Sequence, residues 1–197
     1  MFLCFKDRLF LYNNKLFGMM LLQTTILILA VTGLISGCGN ASRNRVDEMG
    51  NKNEAREKLL FDYADVAFDR LAKVGYDELD SIDKVFVCVW SLEGEVNNGG
   101  FDQYYFNTSG DWAFDTPNAL LAIGATHTAA IVDRGNALFG DSGPSPDSAT
   151  RQNQLDGLSE SAQNQLNSLD DEFYRYTDDL SALLAAYLAT HKTPEAK

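Results

Sequence analysis

The sequence predicts an all-α protein, a single compact domain of about six to eight helices on a flexible N-terminal tether. Three observations carry this expectation. Apolar residues recur at three-and-four spacing through most of the chain, cap and stop residues punctuate those runs, and no convincing hairpin or internal repeat interrupts them. With 45% hydrophobic and 11% aromatic residues in 197, the composition is that of a globular protein with one sizeable core, despite a formal charge of −12.

From Asn53 onward, Leu60, Tyr63, Ala67, Leu71 and Val74 form one apolar face, and Gly75 follows as a stop. Asp80 or Ser81 can cap a second helix reaching about Asn97, with Ile82, Val85, Phe86, Val89, Leu92 and Val96 on one side. Its β-branched middle is also strand-like, but the pattern extends further than a strand usually does. Apolar residues nearly all round Val85 to Trp90 make it the central helix, with Cys88 read as core. Asn97, Asn98, Gly99 and Gly100 then turn the chain, and Gly99 or Gly100 is expected at positive φ. A short aromatic helix from Phe101 to Phe106 follows, stopped by Asn107 to Gly110. Thr116 and Pro117 are read as cap and first turn of a helix to Ile123, and His127 to Phe139 as another. Residues 140–150 read as an exposed loop, and Leu155 to His191 returns to helical spacing, with Leu180, Leu183, Leu184, Tyr187 and Leu188 on one face.

The N-terminus has an export layout: Lys6, Arg8 and Lys15, an apolar run from Leu21 to Ile35, then small residues ending at Cys38. The run is short for a membrane span and contains Gln23, Thr24 and Thr25. Leu34 to Cys38 resembles the lipobox of bacterial lipoproteins, which implies cleavage before Cys38, lipid on that cysteine, and a membrane anchor in the cell envelope. Several acyl chains at about 0.8 kcal/mol per buried methylene hold such an anchor stably. Gly39 after the cysteine favours the outer membrane by the same resemblance; a cytoplasmic location follows only if the signal is not used. The organisation expected is a signal peptide over 1–37, the lipidated cysteine and tether over 38–52, the helical domain over 53–192 and a tail over 193–197.

Between Asn53 and His191 there are 8 Lys or Arg against 24 Asp or Glu, a net −16. That field repels nucleic acid, so no direct nucleic-acid binding is expected, and it attracts a protein with a basic surface. Catalysis needs convergent groups, and only His127 and His191 supply imidazole in this segment. Cys88 with His127 is the one conceivable thiol dyad, and nothing local supports it. There is no CxxC, HExxH, calcium loop or Walker loop, so neither a metal nor another cofactor is expected.

The most informative stretch runs from Ser91 to Gly110. Glu95, Val96, Asn97, Asn98, Gly99, Gly100, Phe101, Gln103, Tyr104, Phe106, Asn107, Ser109 and Gly110 match the pattern E-V-N-N-G-G-F, Q-Y, aromatic, N-x-S-G, in which the chain resembles the Neisseria-type DNA-mimic protein family. The likeness continues loosely over most of residues 55–190. It implies an all-helical fold, a homodimer, and a non-catalytic acidic protein that occupies the DNA-binding face of a transcription factor. The motif also has a ligand-free explanation: paired Asn and Gly make a turn, and Phe101, Tyr104 and Phe106 pack it onto the central helix. Glu95, Asn97, Asn98 and Gln103 are its polar members and candidates for lining a cleft.

Three acidic clusters are the alternative binding faces. Asp62, Asp65 and Asp69 lie on one helical stripe at axial steps of about 4.5 and 6 Å, comparable to the roughly 3.4 Å phosphate spacing of a DNA strand. Asp77, Glu78, Asp80 and Asp83 form a second, and Asp170, Asp171, Glu172, Asp178 and Asp179 a third. Local pairs, Lys58 with Asp62 and Asp69 with Lys73, are the ordinary alternative. The reading reached is a membrane-anchored, non-catalytic acidic protein-binding module. A DNA mimic directed at a basic transcription factor or nucleoid protein, or an envelope enzyme with an unrecognised site, are the rivals.

Overall fold

The computed structural model describes residues 40–191, with side chains described from residue 51. Cys38 and the export segment lie outside the described residues. The chain divides into the units Met1–Glu48 and Met49–Lys197, and the packed core lies in the second. Among the described residues there are seven α-helices, one 3-10 helix and no strand. These are α1 (Asn40–Val74), α2 (Ser81–Phe106), the 3-10 helix (Thr108–Trp112), α3 (Thr116–Ala122), α4 (Thr126–Ala137), α5 (Ser148–Asp156), α6 (Glu160–Phe173) and α7 (Leu180–His191).

Helix α1 begins at Asn40, so the stretch expected to be a flexible tether is helical over almost all its length. The physical reason is composition: it is polar but has no proline, and Ala, Arg, Glu, Met and Lys are good helix formers. Low apolar content argues against burial, not against a helix.

Helix α2 is the axis of the fold. Asp80 caps it, its carboxylate accepting from the Ile82 and Asp83 amides at 2.9 and 2.8 Å. Phe86, Val87, Val89, Leu92 and Val96 are completely or almost completely buried, which is why its apolar residues wrap nearly the whole circumference. The 3-10 helix, α3, α5, α6 and α7 all pack against it, while α4 joins α3 and α6. Helix α1 adds Leu60, Tyr63, Ala64 and Ala67 to the same core, with the rings of Tyr63 and Phe86 4.8 Å apart.

Two local expectations are corrected. Thr116 is the first residue of α3 and not its cap; Asp115 holds the cap position without a side-chain cap bond. The buried Thr116 hydroxyl instead accepts from the Tyr104 hydroxyl at 2.8 Å and donates to the Trp112 carbonyl. The loop before α5 is only partly exposed: Gly143 and Pro144 are buried, and Gln154 donates back to the Gly143 carbonyl.

Candidate functional site

The kink in α2 organises the motif that the sequence singles out. Gly99 has φ −165°, an ordinary extended value, whereas Gly100 sits at φ 72°. Only Gly100 therefore has positive φ, and a β-carbon there would run into the Asp170 carboxylate. Asp170 occupies that space for a reason: it accepts from the Phe101 amide at 2.7 Å, an amide that the kink frees from the helix ladder. Burial raises the Asp170 pKa, aided by Asp102 and Asp171, and the Phe101 amide opposes the rise.

The polar members of the motif face one another. Glu95 accepts from Gln103 at 2.6 Å and from Asn107 at 2.8 Å, and Asn98 donates to Gln103 at 2.9 Å. Ser109 donates to the Tyr104 carbonyl at 2.9 Å, and the Tyr105 hydroxyl donates to Asn136. Gly110 has no room for a β-carbon because the Arg151 guanidinium lies 2.5 Å from where it would stand. Phe101 and Tyr104 are buried, while Phe106, expected to pack inward, is 47% exposed. Glu95, Asn98, Gln103 and Asn107 thus brace the kink through one another.

Arg151 escapes the sequence reading entirely. It is fully buried, and its guanidinium donates to the carbonyls of Tyr105 (2.6 Å), Ser145 (2.7 Å) and Asn107 (2.8 Å) and to the Asp111 carboxylate (2.6 Å). It gathers carbonyls at the end of α2, where a fixed positive charge also suits the helix dipole. No pattern marks it, since it stands in a polar helix with few apolar neighbours in sequence. Burial raises the Asp111 pKa, and Arg151 pulls it back.

The acidic clusters divide between surface and scaffold. Asp62, Asp65 and Asp69 are all exposed, with Asp62 paired to Lys58 at 2.7 Å and Asp69 to Lys73 at 2.5 Å. Asp77, Glu78 and Asp80 are exposed, but Asp83 is 1% exposed and leaves the surface cluster. It accepts from the Tyr63 hydroxyl at 2.6 Å and pairs with Arg70 at 2.9 Å, which joins α1 to α2. In the third cluster Asp170 braces the kink, Glu172 pairs with Arg134 at 2.7 Å, and Asp178 caps α4 through the Thr128 amide and hydroxyl. Asp179 caps α7 through the Ala182 amide and meets Arg56 at 3.3 Å, while Asp171 is simply exposed. The third cluster is therefore mostly a set of joints and not a continuous face.

Cys88 and His127 have separate partners. The Cys88 thiol lies 3.2 Å from the Tyr76 hydroxyl, and burial pushes it up to about 11, whereas His127 faces Glu172 at 3.4 Å. Among the described residues, no group of three or more His, Cys, Asp or Glu is placed to hold a metal, and no helix is long and apolar enough to cross a membrane.

Fold and surface together define an acidic, all-helical protein built around a kinked central helix. The chain belongs to the DMP19-like protein family, that of DNA mimic protein 19: the family model matches residues 77–191, more than half of the sequence. The match takes in α2 to α7 and the motif, and leaves α1 with its Asp62, Asp65 and Asp69 stripe outside. No match was found among curated proteins or among solved structures.

Proposed function

We propose that this protein is a non-catalytic acidic module that binds a partner protein through a basic surface, displayed at a membrane by lipid on Cys38. One observation carries the binding reading. Between Asn53 and His191 the 24 carboxylates outnumber the 8 basic side chains, and six of those eight, Arg56, Lys58, Arg70, Lys73, Arg134 and Arg151, are already paired with carboxylates of this chain. Most of the 24 carboxylates are exposed, so the surface projects a field that steers a basic surface toward it.

Family membership favours a second, narrower form of the same idea, in which the surface engaged is a DNA-binding face. An exported lipoprotein does not meet cytoplasmic transcription factors, so the two forms separate by compartment. The test is affinity capture from detergent-solubilised membranes and, separately, from cytosol, with tagged full-length protein. A partner that elutes with salt is expected, and displacement of that partner by double-stranded DNA distinguishes mimicry from other acidic recognition. Capture that is indifferent to salt overturns the acidic reading. For the anchor, Cys38→Ala is expected to abolish lipidation and processing; mass spectrometry finding an unmodified Cys38 in an uncleaved membrane-fraction protein overturns it.

A further inference from the structure

Near the start of α2, the turn before that helix and the 3-10 helix enclose a groove of about 350 Å³. Three aromatic side chains, Tyr76, Trp112 and Phe114, and three carboxylates, Asp77, Asp111 and Asp115, line it. Tyr76 and Trp112 are stacked with centroids 5.1 Å apart and planes 15° from parallel, and Tyr76 is further held through Cys88. The wall is thus formed in advance. Phe114 remains 52% exposed.

The charges around the groove are unevenly spent. Arg151 holds Asp111 at 2.6 Å from the buried side. Lys84 donates to the Asp77 carbonyl at 2.8 Å, with its ammonium 5.4 Å from the Tyr76 ring centroid, so this aromatic wall already attracts one cation. The carboxylates of Asp77 and Asp115 are exposed and paired with neither base, and Asp115 is oriented by a hydrogen bond with the Tyr76 side chain, which leaves its charge without a cation.

We propose that this groove seats an arginine side chain of the basic partner, its guanidinium paired with Asp77 and Asp115 and lying against the Trp112 and Phe114 rings. The inference rests on the protein-binding reading and gives it a location. Anions are repelled by three carboxylates, and an uncharged aromatic ligand leaves them desolvated without compensation. The space is at the small end of the roughly 300–1,000 Å³ of ordinary ligand sites, which suits one side chain better than a cofactor. A guanidinium alone combines a planar face for the rings with forked donors for the carboxylates.

The test is fluorescence anisotropy of a labelled peptide of alternating arginine and glycine, titrated with the detergent-solubilised full chain. Asp77→Asn with Asp115→Asn removes two charges at the groove; Asp156→Asn with Glu160→Gln removes two exposed charges outside the groove and the three acidic clusters and serves as the charge-matched control. The groove pair is expected to weaken binding about tenfold or more and Phe114→Ala about threefold, with the control within about twofold, because contact pairs act beyond the general field. All five substitutions are at exposed positions on the molecular surface, and melting curves confirm that each variant folds. Equal weakening by both double variants, or groove variants that bind like the wild type, overturns the groove while leaving acidic binding in place. A wild type that binds no arginine peptide overturns both.

Discussion

At the scale of single residues, the two most consequential positions are a glycine with no side chain and an arginine with no exposure. Gly100→Ala must hold positive φ and displace Asp170, which releases the Phe101 amide as well. Strain of this kind costs about 1–3 kcal/mol, and the lost hydrogen bond adds to it. At Gly99 φ is extended, so an alanine there carries no left-handed strain, but its β-carbon displaces Gln103 from Glu95 and Asn98; Gly99→Ala is therefore expected to cost about 1 kcal/mol, less than Gly100→Ala. Chemical denaturation of the two variants checks the order, and equal losses would refute this account of the kink. For Arg151→Met the expected loss is about 3 kcal/mol, because the buried Tyr105 carbonyl, the Asn107 carbonyl and the half-buried Asp111 carboxylate lose their partner together. Arg151→Lys is expected to recover little of it, since one ammonium cannot reproduce the guanidinium fork.

At the scale of elements, α1 and α7 meet α2 around Glu93. Its carboxyl is raised to about 7, chiefly by burial and then by Asp179, with Arg56 opposing. A carboxyl that the folded state holds more protonated than the unfolded chain, whose value is near 4.5, favours folding at low pH. That advantage is complete below about 4.5 and is lost as pH rises toward 7, after which the buried charge is a standing penalty. Glu93→Gln removes the titration. Its melting temperature is therefore expected to be close to wild type at acid pH and above it at alkaline pH, with the gap opening across that window. A gap that does not vary with pH assigns the burial cost to some other group.

At the scale of the whole molecule, charge decides behaviour. A net −16 on one small helical domain repels itself, and salt relieves this over a Debye length of about 10 Å at 0.1 M. Melting temperature is expected to rise with sodium chloride at low ionic strength, while affinity for a basic partner falls. Replacing Asp62, Asp65 and Asp69 together with Asn raises the melting temperature at low salt if repulsion outweighs the local pairs with Lys58 and Lys73, which contribute little at exposed positions. A triple variant that melts below the wild type at low salt shows those pairs to be the larger effect. Such opposite salt responses in stability and binding come from one field, and measuring both on one preparation separates them from specific anion effects.

The helical fold, the central role of α2 and the place of its break are legible in the residues alone, because periodicity, the Asp80 cap and the Asn-Asn-Gly-Gly run act within a turn or two of chain. So is the excess of acid, which is a matter of composition. Polarity alone does not reveal the helical start of α1, nor the capping preference of Thr116 that its hydroxyl is drawn to Tyr104. Which carboxylates are surface and which are joints emerges with the packed fold. Asp83 turns inward to Tyr63 and Arg70, Asp170 reaches the Phe101 amide from 69 residues away, and Arg151 gathers carbonyls 44 and 46 residues distant. A groove of Asp77, Trp112 and Asp115 has the same origin. The physical reason is range: propensity and capping are set by near neighbours, whereas burial and pairing of a charge depend on what the folded chain brings alongside it.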